Sequence, residues 1–308
     1  RLPYVYRGHE GYVNDVAFSP DATQLASAGS DGVVRLWQAH SPTAGPTILH
    51  QADAEPEVRL WDVSTANPAL ASRRLGLRSE TDHLLAVSPD GRYVALTSEG
   101  SAYYVQLWDT QRQGVDWQRL DQPGVIMTMK FSPDGRWLTV GDWNGNVRLW
   151  DMKTPPNPGF AFVDLPPSGG VRDLAFSADS RALVTGDNWG QVNVWRLDLP
   201  VADETPRLLR GHSGIVRTVA ISSSGRWVLS GAWEPDNSAQ LWDLAGDTSA
   251  PVVKLPFKGR LFATAFSPDE RWAAAGSWDA TAQLVRLDNP TAPPIAAPTV
   301  AAGAPTAP

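Results

Sequence analysis

A short phrase recurs along the chain. It reads Phe18-Ser19-Pro20-Asp21, then Val87-Ser88-Pro89-Asp90-Gly91, Phe131-Ser132-Pro133-Asp134-Gly135, Phe176-Ser177-Ala178-Asp179 and Phe266-Ser267-Pro268-Asp269. Ile221-Ser222-Ser223-Ser224-Gly225 is a drifted copy. A second phrase, Leu-Trp or Val-Trp, follows each by about 17 to 20 residues. Successive closures fall at Trp108, Trp150, Trp195, Trp242 and Val285, separated by 42, 45, 47 and 43 residues. Such a repeat constrains the fold more than any single residue does. Each copy is one supersecondary unit that buries its apolar face only by stacking on the next.

Within a unit the pattern is that of strands. Val13 to Phe18 alternates apolar with small or polar residues, as a half-buried strand should. Ser-Pro-Asp-Gly is turn chemistry, because Pro fixes φ and Gly supplies φ > 0. Gln24 to Ala28 reads as a second strand, Ser30-Asp31-Gly32 as a turn, and Val33 to Trp37 as a third strand. A looser fourth follows, such as Pro206 to Leu209 or Pro251 to Leu255. Four short strands in a period near ~40–45 residues predict an all-β propeller blade.

Composition narrows the chemistry. The 308 residues suffice for one large β domain, and 26 Gly with 26 Pro suit many turns. There is no Cys, which removes disulfides, thiolate metal sites and Cys nucleophiles. The net charge of −7, with both signs interspersed, argues against a dominant nucleic-acid footprint. No apolar run approaches the ~20 residues of a membrane span. The five His (His9, His40, His50, His83 and His212) are scattered without zinc-type pairing. Gly211-His212-Ser213-Gly214 lacks the final Gly of a nucleophile elbow. No metal or cofactor is expected. The chain opens on Arg1, so it is expected to be a piece or processed form of something longer.

The two phrases, with Gly8-His9, Gly211-His212 and the Trp-Asp pairs at 61–62, 108–109, 150–151 and 242–243, resemble WD repeats, here of a prokaryotic style. The resemblance covers nearly all of residues 1–288 and implies a WD-repeat β-propeller, with 289–308 an Ala/Pro-rich linker or tail. Six units are full. A seventh shows only its third strand, Glu57 to Asp62, because Trp61 lies 24 residues after Trp37. Seven blades are therefore expected, with a stretch lacking around Gln51 to Ala54; six blades with a hairpin insert is the fallback. For closure, Leu2 to Arg7 is favoured as the outer strand of the last blade. The competitor is the stretch from Asp288 to Ile295.

The resemblance also implies two sets of special residues. His9, Ser27, Asp31 and Trp37 match a hydrogen-bonded structural tetrad of the family. His212, Ser230 and Trp242 match in part, and Asp236 stands in a longer turn than the tetrad's Asp. The second set faces the family's top surface. Trp143, Trp189, Trp233 and Trp278 occupy the turn between second and third strands. Tyr12, Asn14, His83, Met127, Arg172, Arg217, Arg260 and Phe262 stand at the entry of first strands. Aromatic, Arg and Met residues have the composition of interface hot spots, so a protein or peptide partner is expected there. The alternative is that the Trp residues pack on neighbouring blades and the entry residues form a solvated rim. The functional expectation is a non-catalytic interaction scaffold or sensor module, such as the recognition region of a larger signalling or defence protein. A structural subunit of a larger, even cell-surface, assembly is the second reading, and an enzyme using the central pocket the third. A cytoplasmic location is favoured, with cell surface or periplasm open.

Overall fold

The computed structural model describes backbone alone for strands between residues 13 and 74, and for 295–296. It describes backbone and side chains for 84–97 (Leu85 as backbone), 103–109, 111, 117–154, 160–198, 205–246, 249–279 and 281–290. The chain divides into two units, Arg1–Asp82 and His83–Pro308. All elements among the described residues are strands.

The first unit holds one four-stranded meander: β1 (Val13–Phe18), β2 (Gln24–Gly29), β3 (Val33–Gln38) and β4 (Thr47–Gln51). A two-stranded ribbon follows, β5 (Arg59–Trp61) with β6 (Ser72–Arg74). Among the described residues, the unit that lacks its first two strands in the sequence shows this ribbon alone. Residues 52–58 lie outside the described ones, and so does the stretch expected to be lacking there.

The second unit is five four-stranded antiparallel sheets. They are β7 (Leu85–Val87) to β10 (Trp117–Asp121), with β8 (Tyr93–Thr97) and β9 (Tyr104–Asp109) between. Next come β11 (Ile126–Phe131), β12 (Trp137–Asp142), β13 (Val147–Asp151) and β14 (Phe162–Leu165). The third is β15 (Val171–Phe176), β16 (Ala182–Asp187), β17 (Gln191–Arg196) and β18 (Arg207–Arg210). The fourth is β19 (Val216–Ile221), β20 (Trp227–Ala232), β21 (Ser238–Asp243) and β22 (Val253–Pro256). The last is β23 (Leu261–Phe266), β24 (Trp272–Ser277), β25 (Ala282–Arg286) and β26 (Ile295–Ala296). The final pairing is a correction to the favoured closure. Leu284 pairs with Ile295 and Gln283 with Ala296, so the outer strand of the last sheet comes from beyond Asp288. Leu2 to Arg7 lies outside the described residues. The physical reason is proximity in sequence: a short loop reaches the edge of β25 at little entropic cost, as in every preceding sheet.

The Ser-Pro-Asp phrase builds the turn between first and second strands. Ser132 Oγ donates to Asp134 Oδ1 at 2.6 Å and accepts from Trp137 N at 2.9 Å. Asp134 Oδ1 also accepts from Arg136 N at 3.0 Å. The same bonds recur at Ser88, Ser177 and Ser267. Serine bonding holds Asp90, Asp179 and Asp269 below the usual carboxylate range. In the drifted copy Ser224 replaces the Asp and its bonds lengthen to 3.2 and 3.3 Å. Ser132 is fully buried. Ser132→Ala would leave the Trp137 N–H without its acceptor and is expected to cost about 1–2 kcal/mol, read as a lower urea midpoint at unchanged slope.

The Trp-Asp closure has a similar logic. Antiparallel register sets Trp137 opposite Asp151 and Trp227 opposite Asp243. The Arg that follows each turn then meets the closing Asp: Arg92–Asp109 at 3.2 Å, Arg136–Asp151 at 3.5 Å and Arg226–Asp243 at 2.6 Å. Each guanidinium also lies over the neighbouring ring, Tyr93, Trp137 or Trp227, at 4.6–4.9 Å.

The core sits between successive sheets. Leu107 and Tyr93 of one pack with Leu138 and Trp150 of the next. Leu149 and Trp137 then meet Leu174 and Leu183, Val184 and Val194 meet Val219 and Trp242, and Leu229 and Leu241 meet Leu261 and Val285. First strands are also bonded to one another. Lys130 Nζ reaches Asp173 at 3.0 Å, Asp173 accepts from Val219 N at 3.0 Å, and Thr218 meets Thr264 at 3.0 Å. Close approach is possible because β12, β16 and β20 each carry a glycine, Gly141, Gly186 and Gly231. A Cβ there would sit 2.5–2.9 Å from Val171, Val216 or Leu261 of the next sheet.

Candidate functional site

The pairing of first to second strands skips one residue in each of five sheets. The skips fall between Val13 and Asp15, Ile126 and Thr128, Val171 and Asp173, Val216 and Thr218, and Leu261 and Ala263. The bulged residues are therefore Asn14, Met127, Arg172, Arg217 and Phe262, five of the entry positions singled out by sequence. A bulge takes a side chain out of the ladder's alternation and re-aims it. That the first strand changes register here was not legible in the sequence.

Two of the bulged side chains, Arg172 and Phe262, meet turn residues of β12–β13, β16–β17, β20–β21 and β24–β25. Arg172 lies with its Cζ 4.2 Å over the Trp143 ring of the preceding sheet. Its Nε donates to Asn188 Oδ1 of its own turn at 2.5 Å. Phe262 stands likewise between Trp233 of the preceding sheet (5.4 Å between centroids) and Trp278 of its own turn (5.8 Å). Arg260 lies 5.2 Å over Trp233 and 3.7 Å from Glu234. Arg217 Nη1 makes a long 3.5 Å contact to the Arg172 carbonyl. Met127 is half-buried.

The four turn Trp residues divide. Trp189 and Trp278 are 71% and 70% exposed, and Trp143 is 49% exposed. Trp233 is half-buried and donates its indole N–H to the Leu261 carbonyl at 2.8 Å, tying two sheets together. A groove of about 570 Å³ opens beside Phe262 and Trp278, with Ala263, Gly276, Thr281 and Ala282 in its wall. Tyr12 and His83 lie outside the described residues, and Asn14 is described only as backbone.

Two carboxylates that sequence reasoning passed over hold these turns. Asp142 and Asp187 are fully buried. Asp142 accepts from Asn144 N and Asn146 N, both at 2.9 Å, and from the Asn146 side chain at 2.8 Å. Asp187 accepts from Trp189 N and Gln191 N at 2.9 Å, and from Gly169 N of the linking loop at 3.2 Å. Burial raises the Asp187 carboxyl, and the three backbone donors oppose that rise. The available signal was the spacing Asp-x-x-Gly at 142–145 and 187–190, which is Asx-turn chemistry.

The tetrad matched to His9, Ser27, Asp31 and Trp37 falls outside the described residues or on strands described only as backbone. Its partial counterpart is described. His212 Nδ1 bonds Asp236, and Nε2 bonds Ser230 Oγ at 2.6 Å. Asp236 belongs to the set despite its longer turn, and also binds Lys254 at 2.7 Å and Ser238 at 2.9 Å. Trp242 packs its ring edge on His212 at 5.6 Å, but its indole N–H has no partner among the described residues. Ser, His and Asp in this order have the connectivity of a hydrolytic triad. Yet the His212 and Asp236 side chains are 0% and 1% exposed and Ser230 is fully buried, so no substrate reaches the serine. The network satisfies buried polar groups and stiffens the sheet. Burial tends to raise the Asp236 carboxyl, but hydrogen bonds from His212 and Lys254 hold it well below the usual carboxylate range. Burial lowers His212 despite the opposing pull of Asp236.

Among the described residues no group of three or more His, Asp or Glu is arranged to hold a metal ion. No helix among them is long and apolar enough to cross a membrane. Stacked four-stranded meanders with Ser-Pro-Asp turns and Trp-Asp closures define the class: an all-β repeat protein of the β-propeller type. The family profile "WD domain, G-beta repeat" matches residues 1–38, 118–151, 164–196, 204–243 and 253–285, more than half of the chain, and the chain belongs to that family. It is similar to the target of rapamycin complex subunit LST8 of Mus musculus, 28% identical over 155 residues, 44% of this chain and 47% of that protein. It is also similar to the small ribosomal subunit protein RACK1 of Medicago sativa, 29% identical over 169 residues, 49% and 43% of the two chains. The match to WD repeat-containing protein 1 of Xenopus tropicalis is 25% over 191 residues, 52% and 30%. The chain thus spans about half or less of the length of these relatives. They are eukaryotic, which supports the repeat family and leaves its prokaryotic style without support.

Proposed function

We propose that the chain is a non-catalytic interaction scaffold that grips a protein or peptide partner across the surface formed by the bulged residues and turn tryptophans of its second unit. The observation that carries this reading is the exposure of Trp189 and Trp278, the first next in the chain to Asn188, which Arg172 bonds, and the second packed on Phe262. Large aromatic faces left in water lose apolar burial, and aromatic and Arg side chains are the residues that anchor interfaces. Two of the similar proteins are named as subunits, one of the target of rapamycin complex and one of the ribosome. That favours a constitutive subunit of a larger assembly over a free-standing sensor.

The test is an immobilised-chain capture experiment comparing wild type with Trp189→Ala/Trp278→Ala. Proteins held by the wild-type chain are expected to bind the double variant at least ~30-fold more weakly, at an unchanged thermal midpoint. An Asp134→Ser control at the opposite turns should bind as wild type does. Equal capture by the double variant would remove the proposed surface.

A further inference from the structure

Among the described residues, eight arginines stand within 4 Å of a carboxylate: Arg92, Arg119, Arg136, Arg148 and Arg196, with Arg226, Arg260 and Arg286. Of the six arginines with described side chains that do not, Arg181, Arg210 and Arg271 are exposed and Arg207 donates to the Leu244 and Gly246 carbonyls; Arg172 and Arg217 are placed differently. Both are half-buried, both occupy bulges of adjacent sheets, and neither has a carboxylate within ion-pair distance among the described residues. Arg172 is held rigidly by Trp143 above and Asn188 Oδ1 beside it, through Nε alone. That leaves its two terminal nitrogens, the fork that grips an oxyanion, without a hydrogen-bond partner among the described residues. Arg217 spends one nitrogen on a long contact to the Arg172 carbonyl. Burial and the neighbouring Arg217 charge lower the Arg172 guanidinium from its ordinary value. Two like charges placed together and partly desolvated, in a chain of net charge −7, oppose stability unless an anion joins them.

We propose that Arg172 and Arg217 form an oxyanion site that receives a phosphoryl or carboxylate group of the partner segment, with Trp143 and Trp189 as apolar shoulders for its flanking side chains. The planar guanidinium fork matches both anions bidentately, and two forks favour a doubly charged group over a singly charged one. This rests on the partner-binding reading above and deepens it.

The experiment follows the Trp143 indole N–H resonance of the 308-residue chain, assigned with Trp143→Phe. The probe is inorganic phosphate, titrated at constant ionic strength against chloride. The resonance is expected to shift saturably. Arg172→Gln/Arg217→Gln should weaken the apparent affinity at least tenfold, without lowering the thermal midpoint because a repulsion has been removed. Arg172→Lys/Arg217→Lys keeps the charge but loses the fork. It should fall between the two, and it serves in place of the glutamine pair if that pair does not fold. Capped Leu-Xaa-Leu peptides then identify the source of the anion. Tighter binding with phosphoserine than with serine supports a phosphoryl source, and tighter binding with aspartate supports a carboxylate. No preference over serine, a shift matched by chloride, or undiminished binding by the glutamine pair would overturn the site. So would tighter binding of a single-stranded oligonucleotide than of every peptide. Failure here with success of the Trp189/Trp278 capture test removes the oxyanion site alone. Failure of the capture test removes the surface itself.

Discussion

Gly145→Ala is expected to destabilise the chain by about 3 kcal/mol, whereas Gly135→Ala costs about 1 kcal/mol. Both glycines have positive φ, +91° and +68°, so each substitution incurs the left-handed backbone cost of an L residue. They differ in their surroundings. A Cβ at Gly135 would have no atom nearer than Pro89 Cδ, at 3.8 Å. A Cβ at Gly145 would lie 2.0 Å from the Ser168 carbonyl oxygen, where the loop entering the next sheet crosses. Relief would require the two loops to separate, breaking the 3.1 Å bond from Ser168 N to Gly145 O and loosening Asp142 and Trp143 in the same turn. Paired urea titrations check this, and the difference between the two costs isolates the contact between sheets. Equal costs would mean that the loops yield freely.

His212→Ala is expected to cost about 3 kcal/mol at pH 7, because it removes one partner of a buried polar set and leaves a cavity beside Trp242. Ser230 would lose its acceptor, and Asp236 would keep only Lys254, Ser238 and Gln240. The substitution should also change the response to pH. Burial holds the folded His212 below its ordinary value of 6.5, so the unfolded chain takes up a proton there more readily than the folded chain. This contribution to stability is full above about pH 6.5 and is lost as pH falls through the folded value. Asp236 acts with the same sign at lower pH, since its depressed carboxyl favours the folded state above about pH 3.8 and loses that advantage on protonation. Wild type should therefore lose stability from pH 7 toward pH 5 more steeply than His212→Ala. Denaturation series at those two pH values measure the difference, and parallel profiles would contradict a neutral, buried His212.

Residues whose role is local were legible in the sequence. Ser132, Asp134 and Gly135 announce a turn because only such side chains close it, and the Trp-Asp phrase fixes the end of a third strand. The candidate surface was legible only as positions. Counting from Ser-Pro-Asp gave Met127, Arg172, Arg217 and Phe262, but not the reason they project. A bulge is a property of two strands together, and it leaves no mark in either alone. Trp233 looked equivalent to Trp189 in the sequence and differs in space because a neighbouring carbonyl takes its indole N–H. The last outer strand is not legible in the sequence, because a two-residue pairing at Ile295 carries almost no periodicity. Asp142 and Asp187 are inconspicuous in the sequence because an acidic residue at the end of a strand reads as solvated, whereas here the folded turn itself solvates it.

A residue that skips its partner is excused from the alternation that governs its neighbours. Its identity can change without moving any apolar side chain from the inside to the outside. The same backbone place holds Asn14, Met127, Arg172, Arg217 and Phe262, which share neither charge nor size. Selection on what this surface recognises can thus proceed one sheet at a time, while the architecture beneath is inherited unaltered.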